Sequence, residues 1–482
     1  MLFGPVILVF IAGAFATAPP LHPVPGGVTA YLLGLLLLTL VPAMVVSRLT
    51  SRLLRTGRAS SFVLAERVVS AARWLIVAYH VAAIMVAGWI RVDPERTPEA
   101  RLAIELLVAA APLTAFTALY WAFAPMHQRL REAILWRHLH EGRLVLVSMT
   151  RWELVVDHIR HALLLAALPI ATLSAWSALG ERIGPWWAGH DLNPRGLGVW
   201  VLGWHVAGLL LVVSIVPMLM RRLWSTVRLG EGDLRREIER VLERAGVGVR
   251  EILVWRSALG IVNAAVLGAT RPARYLLFSE MLLSVMTRDQ VRAVAAHEAG
   301  HGRYNHLVWL LATGLLSALA LALLGAVFLS AGGRSQAEAS SLVLSLGALL
   351  GSMVVVGWVS RRFEHQADAY AAKDLSSFVS TAPEAAPEAV AEAAPVQTSC
   401  AVTAEGVAPV RACLQVVAEY NGLEIDRFTW RHGSIAARLS HLSSLIGRAC
   451  DDLPIDRTVR RIKFTVAVGW CALAILGWWA WG

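Results

Sequence analysis

The chain has 482 residues, enough by length alone for two or three soluble domains. Composition excludes that: 57% of the residues are hydrophobic, only 16% are charged, and the mean hydropathy is +0.58, whereas a soluble domain carries about a quarter charged residues. The net charge of +10 comes from arginines spread over several connections, without an aromatic-interleaved basic patch, so no nucleic-acid partner is expected.

A membrane-spanning helix needs about 20 mostly apolar residues, and about nine stretches qualify. They lie near 2–19, 28–47, 72–91, 102–124, 161–180, 197–220, 307–330, 341–359 and 464–481. The first has a signal-peptide-like end but no positive start, and reads as a retained span. Arginine crowds alternate connections: Arg48, Arg52, Arg55, Arg58, Arg67 and Arg73 in one, and Arg129, Arg131, Arg137, Arg143, Arg151 and Arg160 in another. Positive charge stays on the cytoplasmic side. That rule puts 48–73, 125–160, 221–306 and 360–463 in the cytoplasm, with the N-terminus inside and the C-terminus outside. Lys373 and Lys463 are the only lysines among 44 basic residues, which suggests a GC-rich genome and a bacterial inner (cell) membrane.

These spans give an N-terminal transmembrane region over 1–220 and the first part of a cytoplasmic domain over 221–306. A membrane hairpin follows over 307–359, then the second cytoplasmic part over 360–462 and a last span over 463–482. Within the first cytoplasmic part, Leu234, Ile238, Val241, Leu242 and Ala245 recur at helical spacing between Asp233 as N-cap and Gly246 as C-cap. Short strand-like runs follow at 251–255, 260–268 and 274–279. Thr287 and Gln290 have the spacing of a capping box, so a helix starts there. In the second part, an Ala/Pro/Glu tract near 379–407 has the composition of a flexible insert, and a helical stretch follows at 408–420. Cys400, Cys413, Cys450 and Cys471 show no C-x-x-C spacing. The first three fall in the predicted cytoplasmic part, where disulfides are rare, and all four read as structural or incidental.

His297, Glu298 and His301 form H-E-x-x-H inside the predicted helix. Residues four apart lie on one helical face, so two neutral imidazoles can hold one zinc while the glutamate acts as general base. A catalytic zinc needs a third protein ligand and an open position. Tyr304 and Leu307 occupy the positions where a metzincin needs glycine and histidine. His306 is about half a turn out of phase on a continuous helix and reads as structural or interfacial. Glu364 is the better candidate, because the membrane hairpin returns it to the surface that the seventh span left. Asp368, four residues on, can accept the second ring N–H of a ligand histidine and fix its tautomer.

H-E-x-x-H on a helix, a membrane hairpin and then E-x-x-x-D resembles the integral-membrane gluzincin metallopeptidases. That family includes the CaaX prenyl endopeptidase and the heat-shock protease HtpX. The resemblance covers roughly 225–445. It implies a polytopic α-helical membrane protein with a cytoplasmic α+β zincin-type domain interrupted by a transmembrane hairpin. It also implies one zinc per chain and hydrolysis of peptide bonds in membrane-associated or misfolded protein substrates. By the same resemblance, Asn263 and Ala264 sit on an edge strand that binds the substrate backbone, His432 faces the transition state, and Arg438 supports the metal-site carboxylates. Gly433 stands where the family has proline, which loosens the backbone beside His432. The expected partners are a protein or peptide substrate and membrane lipid; the oligomeric state is open. Two other readings are a site-2-type intramembrane protease, which places its motif within a span, and a transporter or scaffold with a structural zinc.

Overall fold

The computed structural model describes residues 27–57, 60–90, 97–140, 150–160, 164–188, 194–256, 261–331, 337–381 and 401–480. The predicted span at 2–19 lies outside these residues, as does most of the predicted insert at 379–407. The chain forms two compact units, the first ending at Ser225 and the second beginning at Thr226.

The first unit is helical: α1 (Gly27–Thr56), α2 (Ser60–Val81), α3 (Pro98–His140), α4 (Arg151–His158), α5 (Leu164–Ala188) and α6 (Pro194–Leu223). Its polar side chains are used to join helices. Tyr31 on α1 is 2.8 Å from the fully buried His80 on α2. Tyr79 on α2 donates to the Ala30 carbonyl on α1. On α5 and α6, Trp176 and Trp204 stack, and each indole N–H donates to the other's main-chain carbonyl. A buried indole or hydroxyl in an apolar setting requires such a partner.

The second unit joins a four-stranded sheet to helices. The strands are β1 (Thr226–Arg228), β2 (Glu251–Trp255), β3 (Ala264–Leu267) and β4 (Tyr275–Ser279), in the order β1-β2-β4-β3. Strands β2 and β4 pair in parallel, while β1 and β3 pair antiparallel on either side. Each residue of β4 is buried, as the continuous apolar run YLLFS requires, and β3 is an edge.

The helices are α7 (Asp233–Ala245), α8 (Glu280–Val285), α9 (Arg288–Arg303), α10 (His306–Ala331), α11 (Ala337–Thr381), α12 (Ala404–Asn421), α13 (Ile435–Leu445) and α14 (Pro454–Ala480). α7 ends as predicted at Gly246, in a left-handed conformation, but its N-cap is Gly232, so Asp233 is already the first helical residue. α9 begins at the predicted capping box, with Thr287 and Gln290 bonded reciprocally.

Six helices among the described residues are long and apolar enough to cross a membrane: Gly27–Thr56, Ser60–Val86, Pro98–Arg129, Gly203–Leu223, His306–Gly325 and Pro454–Trp479. The predicted spans at 161–180 and 341–359 fall on α5 and α11, which are not among the six.

The reading against disulfides does not hold. Cys450 is disulfide-bonded, whereas Cys413 and Cys471 are free. An antiparallel bridge between Ala401 and Ala449 draws the two ends of segment 401–449 together, so the pairing arises from the fold rather than from local spacing. The partner of Cys450 lies outside the described residues.

Candidate metal centre

Helix α9 delivers His297 and His301 side by side, with their Nε2 atoms 3.2 Å apart. α11 delivers Glu364, whose carboxylate oxygens lie 3.7 Å from His297 Nε2 and 3.8 Å from His301 Nε2. One donor atom from each residue falls within 4.8 Å of the others. The two helices approach closely because Gly300 has no side chain: a Cβ there would stand 3.2 Å from the Ala367 Cα and 3.3 Å from Tyr370. The small residue within H-E-x-x-H thus sets the spacing between its histidines and Glu364.

The donor set fits a tetrahedral zinc. Two ligand atoms at zinc–nitrogen distances of 2.0–2.1 Å lie about 3.3 Å apart. Hydrogen bonding fixes which ring nitrogens face the centre. Asp368 Oδ1 lies 2.9 Å from His297 Nδ1, on the side of the ring away from Glu364. For His301 the tautomer is set by a longer relay. Gln366 donates its amide N–H to Asp456, so its oxygen accepts from His306 Nε2 at 3.0 Å. His306 Nδ1 then carries a lone pair and accepts from His301 Nδ1–H at 2.9 Å. His301 Nε2 is left as a lone pair facing His297 Nε2 at 3.2 Å, and a cation shared between the two rings, a proton favoured on His297 by Asp368 or a metal ion, reconciles them.

His306 reaches this place because the helix is not continuous. α9 stops at Tyr304, Asn305 takes a left-handed φ of 51°, and α10 restarts at His306. On an uninterrupted helix His306 would stand half a turn out of phase, as expected from the sequence; the break at Asn305 brings its ring behind His301 instead.

The carboxylates are held by Arg438, on α13. It donates to Asp368 through Nε at 2.8 Å and Nη2 at 2.7 Å, and lies 3.3 Å from Glu364. Burial would raise the Glu364 carboxyl, but His432 and Arg438 hold it well below the usual carboxylate range. Burial also opposes ionisation of Asp368, and again Arg438 overcomes it. His301 is pushed well below its ordinary value by burial, which keeps the ring neutral.

His432 Nδ1 lies 2.9 Å from Glu364 Oε1, while about half of its side chain remains exposed. It stands in a short hairpin closed by Thr429 and Gly433, which exchange backbone hydrogen bonds at 3.1 and 3.0 Å. Gly433 has φ of 74°, a left-handed conformation that glycine adopts without strain. The glycine at the family's proline position therefore closes the turn rather than loosening it.

Glu298 points towards the sheet. Its Oε2 accepts the Val266 N–H at 2.9 Å. Burial raises its pKa above the ordinary carboxylate range, the direction that a general base working near neutrality needs. Ala264 opens the edge strand β3 and Asn263 directly precedes it. Asn263 donates its own N–H to Ser279 Oγ and accepts the Ala264 N–H on its side-chain oxygen. The strand meets the site through Val266, which sequence reasoning missed. The signal was available: in an edge strand, alternate N–H groups face away from the sheet.

A small sheet with an edge strand, an H-E-x-x-H helix packed on an E-x-x-x-D helix, and helices long and apolar enough to cross a membrane together form the arrangement that the sequence resemblance implies. Residues 228–446 match the model of peptidase family M48, which bears out the resemblance read from the sequence. A protease HtpX homolog of Aeropyrum pernix is 27% identical over 205 residues, covering 37% of this chain and 63% of the relative. A CAAX prenyl protease 1 homolog of Arabidopsis thaliana is 26% identical over 258 residues, covering 48% and 56%. A protease HtpX homolog of Nitrosomonas eutropha is 33% identical over 153 residues, covering 30% and 52%. The chain therefore spans less than two thirds of the length of these relatives. The crystal structure of S. mikatae Ste24p matches with a TM-score of 0.50 and 16% identity, over 90% of this chain and 99% of that one, which shows a shared fold.

Proposed function

We propose that the protein is a membrane-embedded zinc metalloendopeptidase that hydrolyses peptide bonds of membrane-associated or misfolded proteins. The observation that carries this reading is the convergence of His297, His301 and Glu364, with Glu298 beside them on the same helix.

His297, His301 and Glu364 would hold the metal. When bound, zinc would supply Lewis acidity and a nucleophile at neutral pH. Glu298 removes a proton from the attacking water and returns it to the leaving amine; its raised pKa suits both halves of that exchange. The outward edge of β3 offers N–H and C=O groups to an extended substrate. Asn263 and Ala264 lie at the start of that edge. His432, anchored through Nδ1 on Glu364, presents its exposed side to a developing oxyanion. Asp368 and Arg438 touch no substrate; they fix the ring of His297 and the charge of Glu364.

The arginine-dense connections favour a cytoplasmic active face in a bacterial inner membrane. The disulfide at Cys450 is the observation that favours the opposite, oxidising side.

The test is Glu298→Gln. It should keep its zinc and lose cleavage of casein or of an unfolded membrane protein, because the ligands remain and the base is gone. Substrate trapping with that variant would identify the natural target. Turnover at the wild-type rate would refute the role of Glu298.

A further inference from the structure

The same hairpin that carries His432 also carries Trp430, and the two side chains reach in different directions. His432 meets Glu364. The Trp430 indole N–H donates to the Met353 carbonyl at 3.0 Å. Met353 precedes Glu364 on α11 by eleven residues, roughly 16 Å of helix. The ring rests on Gly357, where a Cβ would stand 2.3 Å from the indole nitrogen. A side chain at 357 would force the indole to shift.

The depth of that contact can be read from the partner helix. α10 and α11 approach closely at Gly314 against Val356 and at Gly351 against Leu321. Met353 and Gly357 are therefore level with the part of α10 around Thr313 to Ser317. The candidate span His306–Gly325 begins at His306. Trp430 consequently sits roughly 10 Å inside the level at which that span starts, at a rise of 1.5 Å per residue.

The residues leading to Trp430 have the matching character. Phe428 is 64% exposed, Leu423 43% and Ile425 42%. α11 exposes Val354 and Trp358, each next in sequence to a residue that Trp430 touches. Arg361 lies over the Phe428 ring and donates to the Trp430 carbonyl, and Arg362 lies over Trp358. Aromatic rings interleaved with arginine mark the boundary between acyl chains and headgroups. Glu424 and Asp426, in the same segment, are exposed as well. Two carboxylates restrict insertion to a shallow depth.

We propose that residues 423–430 form a lipid-facing wedge, continuous with the exposed apolar surface of α11, which dips into the headgroup–acyl boundary and carries the His432 hairpin at its end. The occupant of this surface is the bilayer itself. The proposal rests on the membrane placement of α10 and α11 and not on zinc or cleavage, so its failure would leave the peptidase reading intact.

The test uses the full chain in phosphatidylcholine nanodiscs. An environment-sensitive NBD label is placed at Phe428→Cys or Ile425→Cys in a Cys471→Ser background, with Glu405→Cys as the exposed control. The expected result is blue-shifted emission at 428 and 425, quenched severalfold more by nitroxide-bearing lipid than by aqueous iodide. The control should show the reverse. Iodide quenching at 428 and 425 equal to that at 405 would overturn the proposal. So would labels quenched by neither agent, because protein rather than lipid would then cover the surface. Gly357→Leu, which denies Trp430 its seat, should move the emission at 428 towards that of the control. An unchanged emission would refute the anchoring role of Trp430.

Discussion

Arg438 grips Asp368 with two nearly parallel hydrogen bonds, Nε to Oδ2 at 2.8 Å and Nη2 to Oδ1 at 2.7 Å, and both side chains are almost wholly shielded from water. The pair joins α13 to α11 behind the metal centre. A bidentate guanidinium compensates a buried carboxylate that would otherwise take up a proton. It also leaves Asp368 charged, so that it can hold the ring of His297.

Removing Arg438 should therefore cost stability before it costs chemistry. Arg438→Met strands two buried carboxylates and should destabilise the fold by about 3–5 kcal/mol. Asp368 is held below its unfolded value, so its contribution is present above about pH 4 and is lost as pH falls through the folded value. Without the guanidinium, burial raises the stranded carboxyls, so the deficit of the variant should be largest at high pH and shrink as pH falls from the variant's raised carboxyl pKa towards the low wild-type value. Denaturant unfolding of metal-stripped protein at several pH values checks this. A deficit that grew on acidification would contradict it.

Val266 makes a separate prediction. Its N–H faces Glu298 rather than β4, so proline at this edge position removes that donor without removing a sheet hydrogen bond. Burial is the main reason Glu298 binds its proton tightly, and the Val266 bond opposes it. Val266→Pro should raise the pKa of Glu298 further and move the acid limb of the kcat/KM profile to higher pH. An unmoved acid limb would separate Val266 from the proton acceptor.

How much of this was legible beforehand follows from the range of each signal. Strand β2 coincides with the run predicted at 251–255, and β4 with all but the first residue of 274–279, because short apolar runs between turn residues report burial locally. The start of α9 was equally readable, since a capping box is a four-residue pattern. The approach of Glu364 to the histidines followed from the return of a hairpin. What could not be read depended on a single backbone angle or on distant contacts. Asn305 breaks the phase on which the reading of His306 relied. Gly433 looked like a loss of rigidity because its turn is closed by Thr429, which sequence spacing does not reveal. Cys450 found its bond through a bridge between segments nearly fifty residues apart.

The relay behind His301 is open to direct test. His306→Phe preserves the stack on Phe363 but removes the acceptor for His301 Nδ1–H. Zinc affinity, measured by chelator competition, should fall about 10–100-fold. His306→Gln, which restores an acceptor oxygen, should recover part of the loss. Equal affinity in all three proteins would reduce His306 to packing.

Sidedness is decided at the C-terminus. The arginine distribution predicts that it lies outside the cytoplasm. A C-terminal alkaline phosphatase fusion should then be active and a fluorescent-protein fusion dark. The reverse pattern would move the active face to the oxidising side, where the Cys450 disulfide is at home.

The proposed function rests on one zinc held by two imidazoles of α9 and a carboxylate of α11. X-ray absorption at the zinc edge, with metal counted per chain, tests it most directly. The account predicts one zinc, two nitrogen ligands near 2.0–2.1 Å, oxygen in the remaining positions and no sulfur, with the metal largely lost in Glu364→Ala. Full occupancy in that variant, or a thiolate in the spectrum, would contradict it.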